Sequence, residues 1–387
     1  MGVLTWSELA SLSLARQFPR VTGADVSAVV ETLRRVGPLQ TQTARSAFLG
    51  LAARAPGLTH ATLTEAYESL AVVRGSSLRG TVHTSVAGQH PLLEATARLG
   101  QRTVWARLVP LGSHTLEDLW GALEEHAAGD WRTQAELVDA MVDWLVRHEG
   151  EELAQRARTQ ARSLFFSHAG LVRRPLRGGW EGQGLPGYRT ARVLLGDGAE
   201  RDRLVGDTGA AAARVVRLHL ASYGPASRHD IAWWSGLGLR PVDAALEALA
   251  PELTVRPGPD GRDYWDLAEG VPDPVDDVGT RLLPEFDALV VGYDPRARDR
   301  FVDPAHLPLL WPSTNGLLLP PVLHRGQIVG SWRLEGSGRR RRLEVSVFPG
   351  CPGPTGQQLE EPATGVAAAL AIEVTDVTVR EHASPPL

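Results

Sequence analysis

Arg34-Arg35-Val36-Gly37-Pro38-Leu39-Gln40-Thr41-Gln42-Thr43-Ala44-Arg45 is the stretch on which the fold turns. Just before it, Val26, Val29, Val30 and Leu33 recur at spacings of three and four, which predicts an amphipathic helix over residues 25–36 with one buried stripe. Gly37-Pro38 stops that helix. Residues 43–53 and 63–70 read as two further helices, and then the period changes to two. Residues 71–74 and 78–84 alternate around a Gly75-Ser76-Ser77 turn, the pattern of a β-hairpin. Helices followed by a hairpin make a winged helix. The neutral amides Gln40 and Gln42, one residue apart at a helix start, are by themselves more often solvated or capping residues than the polar centre of a site, so their surroundings must decide.

The same pattern recurs. Residues 116–146 read as two helices, 151–167 as an arginine-rich third, and 170–176 as a strand entering a Gly-rich turn and a second wing. A long helix over 209–223 then precedes Gly224-Pro225-Ala226-Ser227, where Ser227 is an N-cap for a helix over 228–235. Residues 241–250 follow as its third helix, and 253–256 with 264–267 flank a Pro-Gly-Pro-Asp-Gly turn as a third wing. Past a Pro/Asp-rich connector at 271–279, residues 282–293, 317–323, 327–334 and 341–348 read as strands, with a helix over 361–371 and a last strand over 371–379. The fold class is α+β. Three tandem winged-helix units (1–112, 113–207, 208–270) precede a C-terminal β-rich unit (271–387).

Composition narrows the chemistry. Within the 387 residues no apolar run approaches the ~18 of a membrane span, and no charged start followed by an apolar core marks a secretion signal, so a cytoplasmic protein is expected. A single cysteine, Cys351, excludes an internal disulfide and a cysteine metal cluster. No His-Glu-x-x-His occurs and the 12 histidines are scattered, so neither a metal nor another cofactor is expected. Gly178-Gly179 and Gly182-Gln183-Gly184 lack a following Lys-Ser/Thr and read as wing turns; Trp233 and Trp234 read as core.

All 40 basic residues are arginine, and the formal net charge is −5. That balance argues mildly against nucleic acid, but its distribution does not. Residues 151–192 hold eight arginines against three acids, a local +5, whereas acids gather around 260–277; the local field governs contact with phosphate. Asp294-Pro295-Arg296-Ala297-Arg298-Asp299-Arg300 reads as a hairpin tip between strand-like 289–293 and 301–302, shaped to enter a groove, and 339–342 as an arginine turn that is either solvated or phosphate-bound.

With these residues in view, the chain resembles the AlkZ-type winged-helix DNA glycosylases. The resemblance rests on Gln40-Thr41-Gln42, the wing Leu78-Arg79-Gly80-Thr81-Val82-His83, Tyr223-Gly224-Pro225-Ala226, Leu283-Pro284-Glu285-Phe286-Asp287 with Gly292-Tyr293, and Asn315-Gly316, and it spans nearly the whole chain. Thr41 departs from the apolar residue usual between the two glutamines. The resemblance implies a C-shaped molecule with a central channel for double-stranded DNA, acting as a monomer on bulky N7- or N3-alkylated purines, on interstrand crosslinks, and in self-resistance to a genotoxin. It implies Gln40 and Gln42 as the catalytic pair. Candidate DNA contacts are Arg45 beside the motif, Arg79 and His83 on the first wing, Arg158, Arg162 and Arg173 of the second unit, and Arg296 and Arg298 of the expected hairpin tip.

The chemistry fits neutral amides. An alkylated purine is already cationic and a good leaving group, so the protein need only stabilise charge on the sugar and hold a water, which amide oxygens do. Cleavage of the strand itself requires an amine, usually lysine; the chain has no lysine, which leaves only the N-terminal amine, and strand cleavage is expected to be absent. The alternative is a winged-helix transcriptional regulator. Such proteins usually pair one winged helix per half-site with a dimerisation element, whereas three units and no heptad segment are found here.

Overall fold

The computed structural model describes residues 2–196, 198–312 and 316–382, the side chains of 162 and 166 excepted. Arg162, by its side chain, and Asn315 therefore lie outside the described residues. Helix α1 (Trp6–Gln17) comes first, then α2 (Val26–Val36), β1 (Leu39–Gln40), α3 (Ser46–Arg54), α4 (His60–Glu68), β2 (Val72–Ser76), β3 (Val82–Val86) and the long α5 (His90–Leu108). Asp25 caps α2 by accepting the Ala28 N–H, and Ala28, Val29, Leu33 and Val36 form its buried stripe. Each fully buried Val or Leu there contributes roughly 1.5–3 kcal/mol.

The second unit comprises α6 (Leu116–His126), β4 (Arg132–Thr133), α7 (Gln134–His148), α8 (Glu151–Ser167), β5 (Leu171–Pro175) and β6 (Pro186–Thr190), followed by α9 (Ala191–Leu195) and α10 (Gly198–Gly206). The hairpins β2–β3 and β5–β6 do not stand apart. They join into one antiparallel sheet of order β1-β3-β2-β5-β6-β4, because Arg74 and Gly75 of β2 pair with Arg173 and Val172 of β5. Trp180, from the turn after β5, stacks on Tyr67 at 4.3 Å and completes the first unit's core.

The third unit holds α11 (Thr208–Tyr223), β7 (Ala226–Ser227), α12 (Arg228–Ser235), α13 (Leu239–Ala248), β8 (Leu253–Pro257) and β9 (Asp263–Leu267), with a three-stranded sheet ordered β7-β9-β8. Ser227 caps α12 in a reciprocal pair with Asp230. The C-terminal part comprises β10 (Arg281–Leu282), α14 (Ala288–Val291), α15 (Leu307–Leu310), β11 (Pro321–His324), β12 (Gln327–Glu335), β13 (Arg340–Val347), α16 (Gly356–Leu370) and β14 (Glu373–Glu381). Its five-stranded sheet runs in chain order, and only the β13–β14 pair, bridged by α16, is parallel.

Several expectations are corrected. Residues 78–80 are a tight turn rather than strand. Of 282–293, only the first residue is strand; Asp287 caps α14 and meets Arg54 of α3 in a fully buried ion pair, which holds the segment as a helix. Of 317–323, only 321–323 are strand, and the helix expected from 361 begins at Gly356, where Thr355 and Gln358 cap each other. Residues 295–300 form a 3-10 turn, not a hairpin tip. One large core unites α1, α5, the third unit and residues 283–310, so the N-terminal helix packs with elements more than 200 residues away.

Candidate active site

Gly37 ends α2 with φ +80°, and a Cβ there would sit 3.1 Å from the Ser222 hydroxyl, so the chain can turn only as glycine. The turn feeds β1 onto the edge of the first wing, with Leu39 opposite Thr84 and Gln40 opposite His83. The Thr41 N–H donates to Val82 O at 2.7 Å and carries the pairing one residue further. Burial then alternates: Leu39 and Thr41 face in, Gln40 is half-buried and Gln42 exposed. Thr41 keeps its hydroxyl inside, accepting from Thr84, which shares a 2.7 Å hydrogen bond with Tyr67; Arg74 donates to Thr41 O at 3.0 Å. The middle residue is thus an anchor turned away from the open face.

Gln40 Oε1 accepts a 2.6 Å hydrogen bond from Arg79 Nη2, and Arg79 Nη1 donates to Trp234 O at 2.7 Å. Arg79 occupies the left-handed region at φ 56°, a conformation that costs a non-glycine residue on the order of 1 kcal/mol. It can do so because α12 closes over the turn: Gly236, at φ +77°, leaves no room for a Cβ above the Arg79 backbone, whose N would lie 3.1 Å away. Burial pushes the Arg79 guanidinium down to about 10, with the Arg298 charge acting the same way; it stays charged at neutral pH.

His83, the cross-strand neighbour of Gln40, is buried, and its Nδ1 lies 3.0 Å from Ser77 Oγ and 3.1 Å from Thr81 O. A carbonyl only accepts, so the proton sits on Nδ1 and leaves Nε2 an acceptor. Burial, then the Arg79 charge, push the ring down to about 3. His83 is therefore a neutral hydrogen-bonding group, and the phosphate-contact reading does not hold for it.

The family model for AlkZ-like DNA glycosylases matches residues 33–371, which contain this whole constellation. The chain belongs to that family. It is a DNA glycosylase, and it binds DNA. Among solved structures it is similar to Streptomyces sahachiroi DNA glycosylase AlkZ, with a TM-score of 0.77 and 22% identity over 98% of this chain and 100% of that one, a likeness of fold. A search of curated proteins gives no match. Among the described residues no helix is long and apolar enough to cross a membrane.

The remaining arginines singled out in this AlkZ-like chain fall in different places. Arg45 is half-buried and ion-paired with Glu285 of the C-terminal part. Arg158 lies exposed on α8, paired with Asp139 at 3.0 Å. Arg173 is buried against the Tyr188 ring and donates to Ser76 Oγ at 2.7 Å, tying β5 to β2 inside the sheet. Arg296 is exposed. Arg298 is buried, its guanidinium 5.2 Å from the Trp233 ring centre and 4.7 Å from that of Trp311. Groove contact by Arg173 and Arg298 is thereby corrected to structural stacking. Arg74, which holds Thr41 O from the second sheet neighbour, and Trp234 O, which holds Arg79 from the third unit, carry no local signal; Trp234 is 155 residues from Arg79.

Proposed function

We propose that this glycosylase hydrolyses the N-glycosidic bond of bulky N7- or N3-alkylated purines, including those that crosslink the strands, and gives self-resistance to a DNA-alkylating compound. The C1′–N bond breaks with its electron pair leaving on the cationic base. A water oxygen then bonds to C1′ and loses its proton to solvent. The observation that carries this reading is Gln40, held on an open strand face by a charged Arg79 while Gln42 stands exposed beside it. Arg79 takes one of the two lone pairs of Gln40 Oε1 and leaves the other for a water O–H. Gln42, in the bend two residues after Gln40 and at most about 7 Å of chain from it, reaches the same water or the sugar from the other side. Amides suffice because positioning and dipole orientation supply much of such a barrier reduction. The protein acts alone, as a monomer along duplex DNA in the central channel.

Incubation with a duplex carrying one N7-alkylguanine tests this: catalytic release of the base is expected, and retention without release would point to a non-enzymatic binder instead. The product is expected to be an intact strand with an abasic site. Without a lysine, borohydride should trap no protein–DNA adduct. An adduct formed with the N-terminal amine blocked would overturn the hydrolytic route.

A further inference from the structure

Beside Gln42 a cleft of about 560 Å³ opens between the first unit and the C-terminal sheet. Thr43 and Arg45 form its near wall, so it begins one residue, about 3.8 Å of chain, from the exposed amide. Its far wall is apolar: Leu317, Leu319, Pro320, Trp332 and Leu334. Leu317 is 51% exposed, and Trp332 spends its one polar atom on Leu283 O at 2.8 Å, leaving an apolar ring. The charges at the mouth are matched. Arg45 pairs with Glu285, Arg333 with Glu335 at 2.6 Å and Glu344 at 2.9 Å, and Arg380 with Glu344 at 2.5 Å. A phosphate would find these arginines already engaged, whereas an uncharged apolar group would meet a wall that water covers poorly.

Resting on the reading of Gln40 and Gln42 as an alkylpurine site, we propose that this cleft receives the apolar substituent of the alkylated base and sets a preference for bulky aryl adducts over methyl. The volume falls in the range of small-molecule sites, far beyond what a methyl group fills. The lesion would remain near the duplex, base at the glutamines and substituent reaching past Thr43 into the cleft. Two small side chains keep the cleft open: Ser331 and Ser346, direct cross-strand partners on β12 and β13, both face it.

The test uses the full chain and two duplexes, one with a single N7-methylguanine and one with an N7-(naphthylmethyl)guanine. Ser346→Trp fills the cleft. It should slow single-turnover release of the naphthyl adduct about ten- to a hundred-fold while changing the methyl lesion less than about two-fold. Leu317→Asp, at an exposed position, places a charge on the apolar wall and should slow only the naphthyl adduct, by about three- to ten-fold. Unchanged affinity for undamaged duplex confirms that each variant is folded. Equal slowing of both lesions, or an unaltered naphthyl rate in both variants, overturns the cleft assignment. If the wild-type chain releases neither base, the reading of the glutamine pair itself fails, a result distinct from release without discrimination.

Discussion

Two short turns, Leu78–Gly80 and Pro295–Arg300, each carry the arginines that sequence offered to DNA, and they use them in opposite ways. In the first, Arg79 sits in a left-handed conformation and spends its fork on Gln40 Oε1 and Trp234 O, so the charge stands beside the open strand face. In the second, Arg298 is closed between two indoles with Nε on Val290 O at 3.0 Å, and Arg300 lies 4.0 Å from the Tyr293 ring centre and 3.6 Å from Asp230. A planar, weakly hydrated guanidinium can stack as well as pair. In a chain without lysine, arginine therefore serves the core as well as the surface, and its density along the sequence is no map of where DNA lies.

The sharpest way to break this comparison is at Gln40, which Arg79 holds, and at its exposed neighbour Gln42. Gln40→Ala and Gln42→Ala are each expected to lower single-turnover base excision by about one to three powers of ten, the scale for losing one positioned polar group, with DNA affinity within a few-fold. Full activity in both would move the chemistry elsewhere.

Arg298→Ala should instead act on stability. Emptying the slot between Trp233 and Trp311 removes a large buried side chain and its cation–π contacts. A loss of about 2–4 kcal/mol in urea unfolding is expected. The folded fraction should keep its excision rate within a few-fold. A stable variant with a large rate loss would return Arg298 to the DNA-facing set.

Much of this architecture was legible because it is local. Periodicity located the helices, Ser227 announced its own cap, and the hairpins at 253–267 and 327–347 followed from alternation. What failed depends on distance. Residues 282–293 alternate like a strand, yet Asp287 caps a helix and meets Arg54 across 233 residues. The motif was readable as two amides; that Arg79 orients one of them, and that Arg74 and Thr84 lock the residue between, follows only once β1 lies against β3.

A third expectation concerns pH. Burial pushes His83, His168 and His219 each down to about 3. Their folded pKa lies below the unfolded value of about 6.5, so the unfolded state binds more protons between these limits; stability is full above pH ~6.5 and is lost as pH falls. His83→Gln should remove up to about 1.4 kcal/mol per pH unit of that loss, measured by urea unfolding between pH 6.5 and 4.5. The wild-type excision rate should show no ionisation of His83 between pH 6 and 8. A variant with the parent's acid sensitivity would mean that His83 ionises alike in both states.

The smallest expected effect separates Arg79 from Arg296. Each lost phosphate contact makes the slope of log affinity against log salt shallower by about one unit. Arg79 has no carboxylate on its hydrogen-bonding fork and stands beside the strand that carries Gln40, so Arg79→Ala should give that full change and, on the proposed mechanism, also slow excision by releasing Gln40. Arg296 is exposed, but its turn is set among acids: Asp294 accepts from the Arg296 backbone N–H, Asp299 follows, and Asp303 and Asp260 lie near enough to push the Asp299 carboxyl up after burial has done so first. These acids, which Arg262 also pairs at Asp294 and Asp260, offset the charge of Arg296, so Arg296→Ala should leave the slope unchanged. A salt titration in which Arg296→Ala shifts the slope by a unit while Arg79→Ala does not would reverse the assignment of the two turns, and the DNA path would then run past 294–303 instead of the first wing.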